Sequence, residues 1–217
     1  MTVSLGIFDL FTYAVPGALQ LTVLLYIGQR LSWLDVSKLL LVPSGVLFVG
    51  LATASYLLGH VAYKLGKIFD RISQEDGETR WRQAQASFLM KVPGAHSRAF
   101  VNSDPYLLLA ALELHAREVA VEISRLRAAG LMLRNSALPL TVSALVAVVE
   151  LAVGTHKPEA AAVMLLLALA AFLSVQRSVQ LRQWARSKTF QLAYWVPEID
   201  ERLTLAETTR RDTTGHI

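Results

Sequence analysis

Four long apolar runs, at 10–27, 39–63, 137–154 and 160–175, constrain this chain more than any other feature. A helix needs roughly 20 predominantly apolar residues to cross the hydrocarbon core of a bilayer. The second run exceeds that length, and its one ionisable side chain of the His, Lys, Arg, Asp or Glu type is His60, near its end. The first and third runs are adequate, and the fourth is at the short limit. Hydrophobic residues make up 53% of the 217, and the mean hydropathy is +0.42. Burying four such helices in a soluble bundle would leave too little polar surface to cover them. The expected fold class is therefore all-α: a polytopic membrane protein with four transmembrane helices. A helical cytoplasmic region is expected from the central segment and the C-terminal helix. The opening run lacks a basic leader, its first charge being Asp9, so it is expected to remain in the mature protein rather than act as a signal peptide.

Basic residues set the expected orientation. Eleven of the 21 Lys and Arg lie from Lys64 to Arg134 and seven more from Arg177 to Arg211, while Arg30, Lys38 and Lys157 occupy the two short connections. The positive-inside bias puts both termini and the central segment in the cytoplasm. The chain has no cysteine, in keeping with a region that needs no disulfides. The net charge of +4 suits a protein lying against anionic lipid.

These runs divide the chain into four expected segments. Residues 1–66 hold an interfacial segment and the first two spans, 67–136 a cytoplasmic helical segment, 137–176 a hairpin of two spans, and 177–217 a cytoplasmic helix with a disordered tail. Within the second, QEDGE reads as a turn, and Asp104-Pro105 as the start of a helix reaching about Asn135. GTHKPE reads as the turn between the last two spans. Pro16-Gly17 allows two readings of the first span: a regular helix that begins at Pro16, with FDLFTY separate at the interface, or a kink inside a longer helix.

No pattern for phosphate-loop, hydrolase or zinc chemistry occurs, so no catalytic residue, metal or cofactor is expected, and the chain is not expected to be an enzyme. Polar groups inside the spans carry more information, because they are costly there. Gln20, near the middle of the first span, must bond across a helix interface or line water. His60 either makes a structural hydrogen bond or senses pH in a gate. Glu150 is expected to snorkel to the interface, and Ser55 to bond back to its own helix. Pro16, Gly17, Gln20 and His60 are thus the pore or gating candidates. Gly45, Ala52, Gly59 and Gly66 recur every seven residues and mark a helix stripe that lets another backbone approach. Arg80, Arg82, Arg177, Arg182 and Arg186 are the candidate contacts for a cytoplasmic protein partner or an anionic nucleotide or oligonucleotide.

Tyr13, Pro16 and Gly17 in FDLFTYAVPG, with Tyr56, Gly59 and His60 in YLLGHVAYKLGKIFD, form YxxPG and YxxGH motifs. In these the chain resembles small bacterial four-helix membrane proteins, some of which look like membrane effectors of anti-phage defence systems of the Hailong type. The resemblance implies an effector held silent by a cytoplasmic partner or nucleotide signal and opened on infection to collapse the membrane potential. An oligomeric, ion-conducting effector among membrane lipids is the leading expectation. The alternative is a non-conducting scaffold or sensor that anchors a soluble partner. A transporter ranks below both, since four spans are few and no inverted repeat is evident.

Overall fold

A computed structural model describes residues 3–39, 41–72, 77–154 and 157–204. Most of the QEDGE turn, the centre of the GTHKPE turn and the tail expected to be disordered lie outside them. The fold is all-α among the described residues: α1 (Val3–Arg30), a single turn α2 (Val36–Leu39), α3 (Ser44–Ile72), α4 (Gly77–Lys91), α5 (Pro105–His115), α6 (Arg117–Val153) and α7 (Lys157–Tyr194), with 3-10 turns at Pro93–Ala95 and Ala99–Asn102. Four helices, α1, α3, α6 and α7, contain stretches long and apolar enough to cross a membrane. The chain is a multi-pass membrane protein. Consistent with lipid as their solvent, these helices leave Leu24, Phe48, Val49, Leu165, Leu166 and Phe172 exposed.

The chain forms two compact units, one of residues 1–74 and 128–180, the other of residues 75–127 and 181–217. In the first, α1 and α3 are antiparallel and unusually close. A Cβ added to Gly17 would lie 1.6 Å from the Ser55 carbonyl oxygen, and one added to Gly59 would lie 2.0 Å from that of Tyr13. Only glycine permits this approach, in which carbonyl oxygens of one helix rest on Cα–H groups of the other. Pro16 is buried in the interior of α1. FDLFTY is therefore continuous with the span, and the reading that starts the helix at Pro16 is set aside. A proline here leaves the Thr12 carbonyl without its helical donor. The Thr12 hydroxyl, itself buried, donates to Phe8 O at 2.7 Å.

In the second unit the residues expected to make one helix to Asn135 make two. Asp104 caps α5 by accepting from Tyr106 N at 2.8 Å and Leu107 N at 3.2 Å. Ala116, at φ −140° and ψ 63°, breaks the helix before α6 begins. The break lets Leu108 and Leu112 from α5 and Ile123 from α6 all enter one core. Phe88 of α4 centres that core, its ring 5.8 Å from Phe190 and 6.1 Å from Phe100. Asp200 ties the loop at 98–100 by ion pairing with Arg98 at 3.1 Å and accepting from Phe100 N at 3.3 Å.

Gly59→Ala is expected to lower the thermal midpoint of the detergent-solubilised protein by several degrees, since forced overpacking costs about 1–3 kcal/mol. Gly45→Ala, with nothing within 4 Å of the added methyl, should leave it unchanged or raise it slightly. Circular-dichroism melts of the two variants check the contrast; equal midpoints would refute the close contact.

Candidate functional site

The glycine contact assembles a cluster on the flank of α1 and α3. With Gly59 against the Tyr13 backbone, the next residue, His60, lies beneath the Tyr13 ring, stacked at 4.1 Å and 14°. Tyr56 meets both rings edge-on, at 6.0 Å from Tyr13 and 4.7 Å from His60. Tyr63, one turn along α3, meets Tyr13 at 5.8 Å. All six residues of the two sequence motifs therefore meet at one helix crossing. The His60 Nδ1 lies 3.1 Å from the Tyr56 carbonyl oxygen. A carbonyl only accepts, so Nδ1 carries the hydrogen, and Nε2 of the neutral ring is an acceptor.

Further along α3, an ionic group joins the cluster. Arg134 of α6 has its side chain 5% exposed and donates from Nη1 to Asp70 Oδ2 at 2.6 Å. Its Nε and Nη2 each donate to Asn135 Oδ1 at 3.2 Å, and Nη2 reaches Tyr63 O at 3.4 Å. The guanidinium carbon also sits 5.0 Å from the Tyr63 ring centre. Gly66 makes room for this arrangement: a Cβ there would lie 3.0 Å from Asn135 Oδ1 and 3.4 Å from Arg134 Nε. The sequence reading did not find the Arg134–Asp70 pair. Its signal was the Arg-Asn-Ser triplet opening the third apolar run, with Asp70 as an acidic residue just past the second.

At the far end of the same unit lies a second ion pair. Arg30 Nε donates to Glu150 Oε1 at 2.7 Å, and the Tyr26 hydroxyl donates to the same oxygen at 3.2 Å. Glu150 is thus bound to α1 rather than merely reaching for the interface. Along α6, Arg134 and Glu150 are about 24 Å apart at 1.5 Å per residue. The Thr12 hydroxyl approaches Ala128 O at 3.5 Å, so α1 and α6 run in the same direction.

The remaining candidates are placed as follows. The carboxamide oxygen of Gln20 is buried in the first unit and has no hydrogen-bond partner among the described residues; neither has Asn135 Nδ2. Of the heptad stripe, Gly59 and Gly66 are buried while Gly45 and Ala52 are exposed. Arg80 and Arg82 are on α4, which packs on α7 through Trp81 and Phe190 at 4.3 Å, and α7 also carries Arg182 and Arg186. Arg82 is paired with Glu78. Arg177 belongs to the first unit and donates to Gln180 Oε1 at 2.9 Å. No family model, curated protein or solved structure matches this chain.

Removing one partner of a buried ion pair costs about 3–5 kcal/mol, whereas replacing both with apolar residues is often neutral. Arg134→Met is therefore expected to destabilise strongly, and adding Asp70→Leu to restore most of the loss. Thermal melts arranged as a double-mutant cycle measure the coupling; additive single effects would deny the pair its structural role.

Proposed function

We propose that the chain is an oligomeric effector of the bacterial inner membrane which conducts ions once a cytoplasmic signal opens it, depolarising the cell as an anti-phage defence. Both termini and the second unit are cytoplasmic in this reading, following the excess of Lys and Arg between the second and third spans and after the fourth. The observation that carries it is Gln20. This residue lies at the centre of the span Leu10–Arg30, about 15 Å along the helix from either end. Its buried acceptor has no partner. An acceptor left so carries a desolvation penalty of about 1–3 kcal/mol. Separation of the helices around it would admit water and remove that penalty, so the arrangement described here corresponds to the closed state.

Two features support the rest of the reading. The exposed half of the small-residue stripe, Gly45 and Ala52, offers a second copy the close approach that Gly59 gives α1. Arg80, Arg82, Arg182 and Arg186 belong to one unit and suit an anionic nucleotide or an acidic partner. The compact aromatic core of that unit also favours a second reading, a non-conducting scaffold that presents the unit to a soluble protein.

Flux through liposomes loaded with a potential-sensitive dye separates the two. With the wild type conducting, Gln20→Leu should cut flux about tenfold, as relief of the 1–3 kcal/mol penalty favours the closed form, and should raise the thermal midpoint. A lowered midpoint would mean that the amide has a partner, against the gating role. Absence of flux with every anionic ligand tried would favour the scaffold.

A further inference from the structure

The Arg30–Glu150 end of the first unit contains a cavity of about 810 Å³ between α1, α6 and α7. Pockets that enclose small molecules measure roughly 300–1,000 Å³, and a dry apolar cavity of about 150 Å³ already takes a benzene ring. The lining extends from Thr22 to Arg30 on α1 and from Glu159 to Leu167 on α7. Eight residue steps on each helix make it about 12 Å deep along the spans. Val23, Val146, Ala147, Val163 and Leu167 form an apolar wall, all of them in membrane-spanning helices. Val163 and Tyr26 are each about half exposed, so the cavity is open to the surroundings of those helices.

The polar side chains of the lining do not call for a ligand, because each already has a partner in the chain. Thr22 donates to Ala18 O at 2.9 Å and Ser143 to Pro139 O at 2.8 Å, both turning back on their own helices. At the mouth, Tyr26 and Arg30 both donate to Glu150 Oε1, and Arg30 Nη2 reaches Oε2 at 3.4 Å. Glu159 is engaged within the chain as well. A polar solute would have to displace these bonds to make its own, whereas an apolar occupant leaves them intact. Water is a poor filler of the interior for a related reason. It needs two to four polar partners, and an apolar cavity that lacks them stays dry. Hydrocarbon gains dispersion contacts there that an empty space forfeits. The helices around the cavity have lipid as their solvent, so acyl chains are the apolar groups in greatest supply at its opening.

We propose that this cavity is a binding site for one acyl chain of a bilayer lipid, selected by the shape and apolarity of the wall and not by the headgroup. The chain stands parallel to the spans against Val23, Val146 and Val163, with its deep end by Leu167. Tyr26, Arg30 and Glu150 border the mouth, bonded to one another. The site depends on the protein being membrane-spanning and is independent of whether it conducts.

Native mass spectrometry of the full-length protein tests it, in a steroid-based detergent that has no alkyl chain to compete. The delipidated protein is returned to an equimolar mixture of phosphatidylethanolamine, phosphatidylglycerol and phosphatidylcholine with identical chains. Each wild-type chain should retain one lipid, with the three headgroups represented within about twofold of one another. Dodecanol, a nearly bare chain, should displace that lipid, and glycerophosphoethanolamine, a headgroup without chains, should not. Val163→Trp fills the cavity and should lower retention at least about tenfold, a difference of about 1.4 kcal/mol. Val163→Ala, which widens it, should keep the lipid, and circular-dichroism melts verify that both variants are folded. A tenfold preference for one headgroup, displacement by glycerophosphoethanolamine, or retention undiminished in Val163→Trp would overturn the proposal. So would a wild-type oligomer that retains no lipid, since a second copy would then fill the cavity.

Discussion

The backbone contact between α1 and α3 governs the geometry of the membrane unit. Lipid supplies no hydrophobic force between helices, so their association depends on close packing and polar contacts. Gly17 and Gly59 each receive a carbonyl oxygen of the opposite helix, and neither could carry a side chain there. Once this register is fixed, His60 must fall under Tyr13, and Tyr63, Gly66 and Asp70 follow at one-turn intervals along α3. Those last residues receive Arg134 and Asn135 from α6. The motif residues are thus interdependent: the tyrosine, the glycines and the histidine specify one crossing, and their joint presence is explained by packing alone.

The two ion pairs bracket the apolar layer. Arg134–Asp70 closes one end and Arg30–Glu150 the other, and α6 contributes one member to each. Pairing offsets each of these four charges with its opposite, which is the condition for keeping them near hydrocarbon. The charge-free stretch of α6 between them spans about 24 Å, close to the roughly 30 Å of a bilayer core. The pairs differ in setting. Arg134 is enclosed and has every donor group engaged, which fixes the α3–α6 register, whereas Arg30 is more than half exposed and edges an open cavity.

Much of the architecture was legible in the sequence because hydropathy reports directly on the solvent of a helix. Four apolar runs became helices with membrane-spanning stretches, and the YxxPG and YxxGH residues that stood out by pattern meet in space. Helix continuity was less legible. Pro16 allowed either a start or an interior position, and the helix passes through it, because an interior proline loses one hydrogen bond and keeps the rest. Residues 105–135 looked like one amphipathic helix, but the stripe is interrupted at Ala116, where no proline or glycine marks the break. The ion pairs were hidden for a different reason. Asp70 and Arg134 are distant in sequence and unremarkable singly, so only the register set by glycines 59 and 66 brings them together.

The same distribution of interactions bears on how the unit would move. Its ends are held by charged, directional bonds, while between them Gln20 keeps an unmet acceptor. Two prolines, Pro16 in α1 and Pro139 in α6, release the carbonyls of Thr12 and Asn135 from the helical ladder. Asn135 Nδ2 is a further buried donor with no acceptor. Asn135 belongs to the Arg134–Asp70 end, where its Oδ1 accepts from Arg134, and Thr12 lies beside Ala128 at that same end, so Gln20 is the mid-span group among them. Separation near the middle of the spans loses mostly dispersion contacts, which lipid or water partly replaces, and lets water reach the Gln20 acceptor. Separation at either end would instead break a salt bridge. The softest displacement of such a unit is a parting of the spans around Gln20 with both ends pinned, which is the motion that the proposed conduction would use.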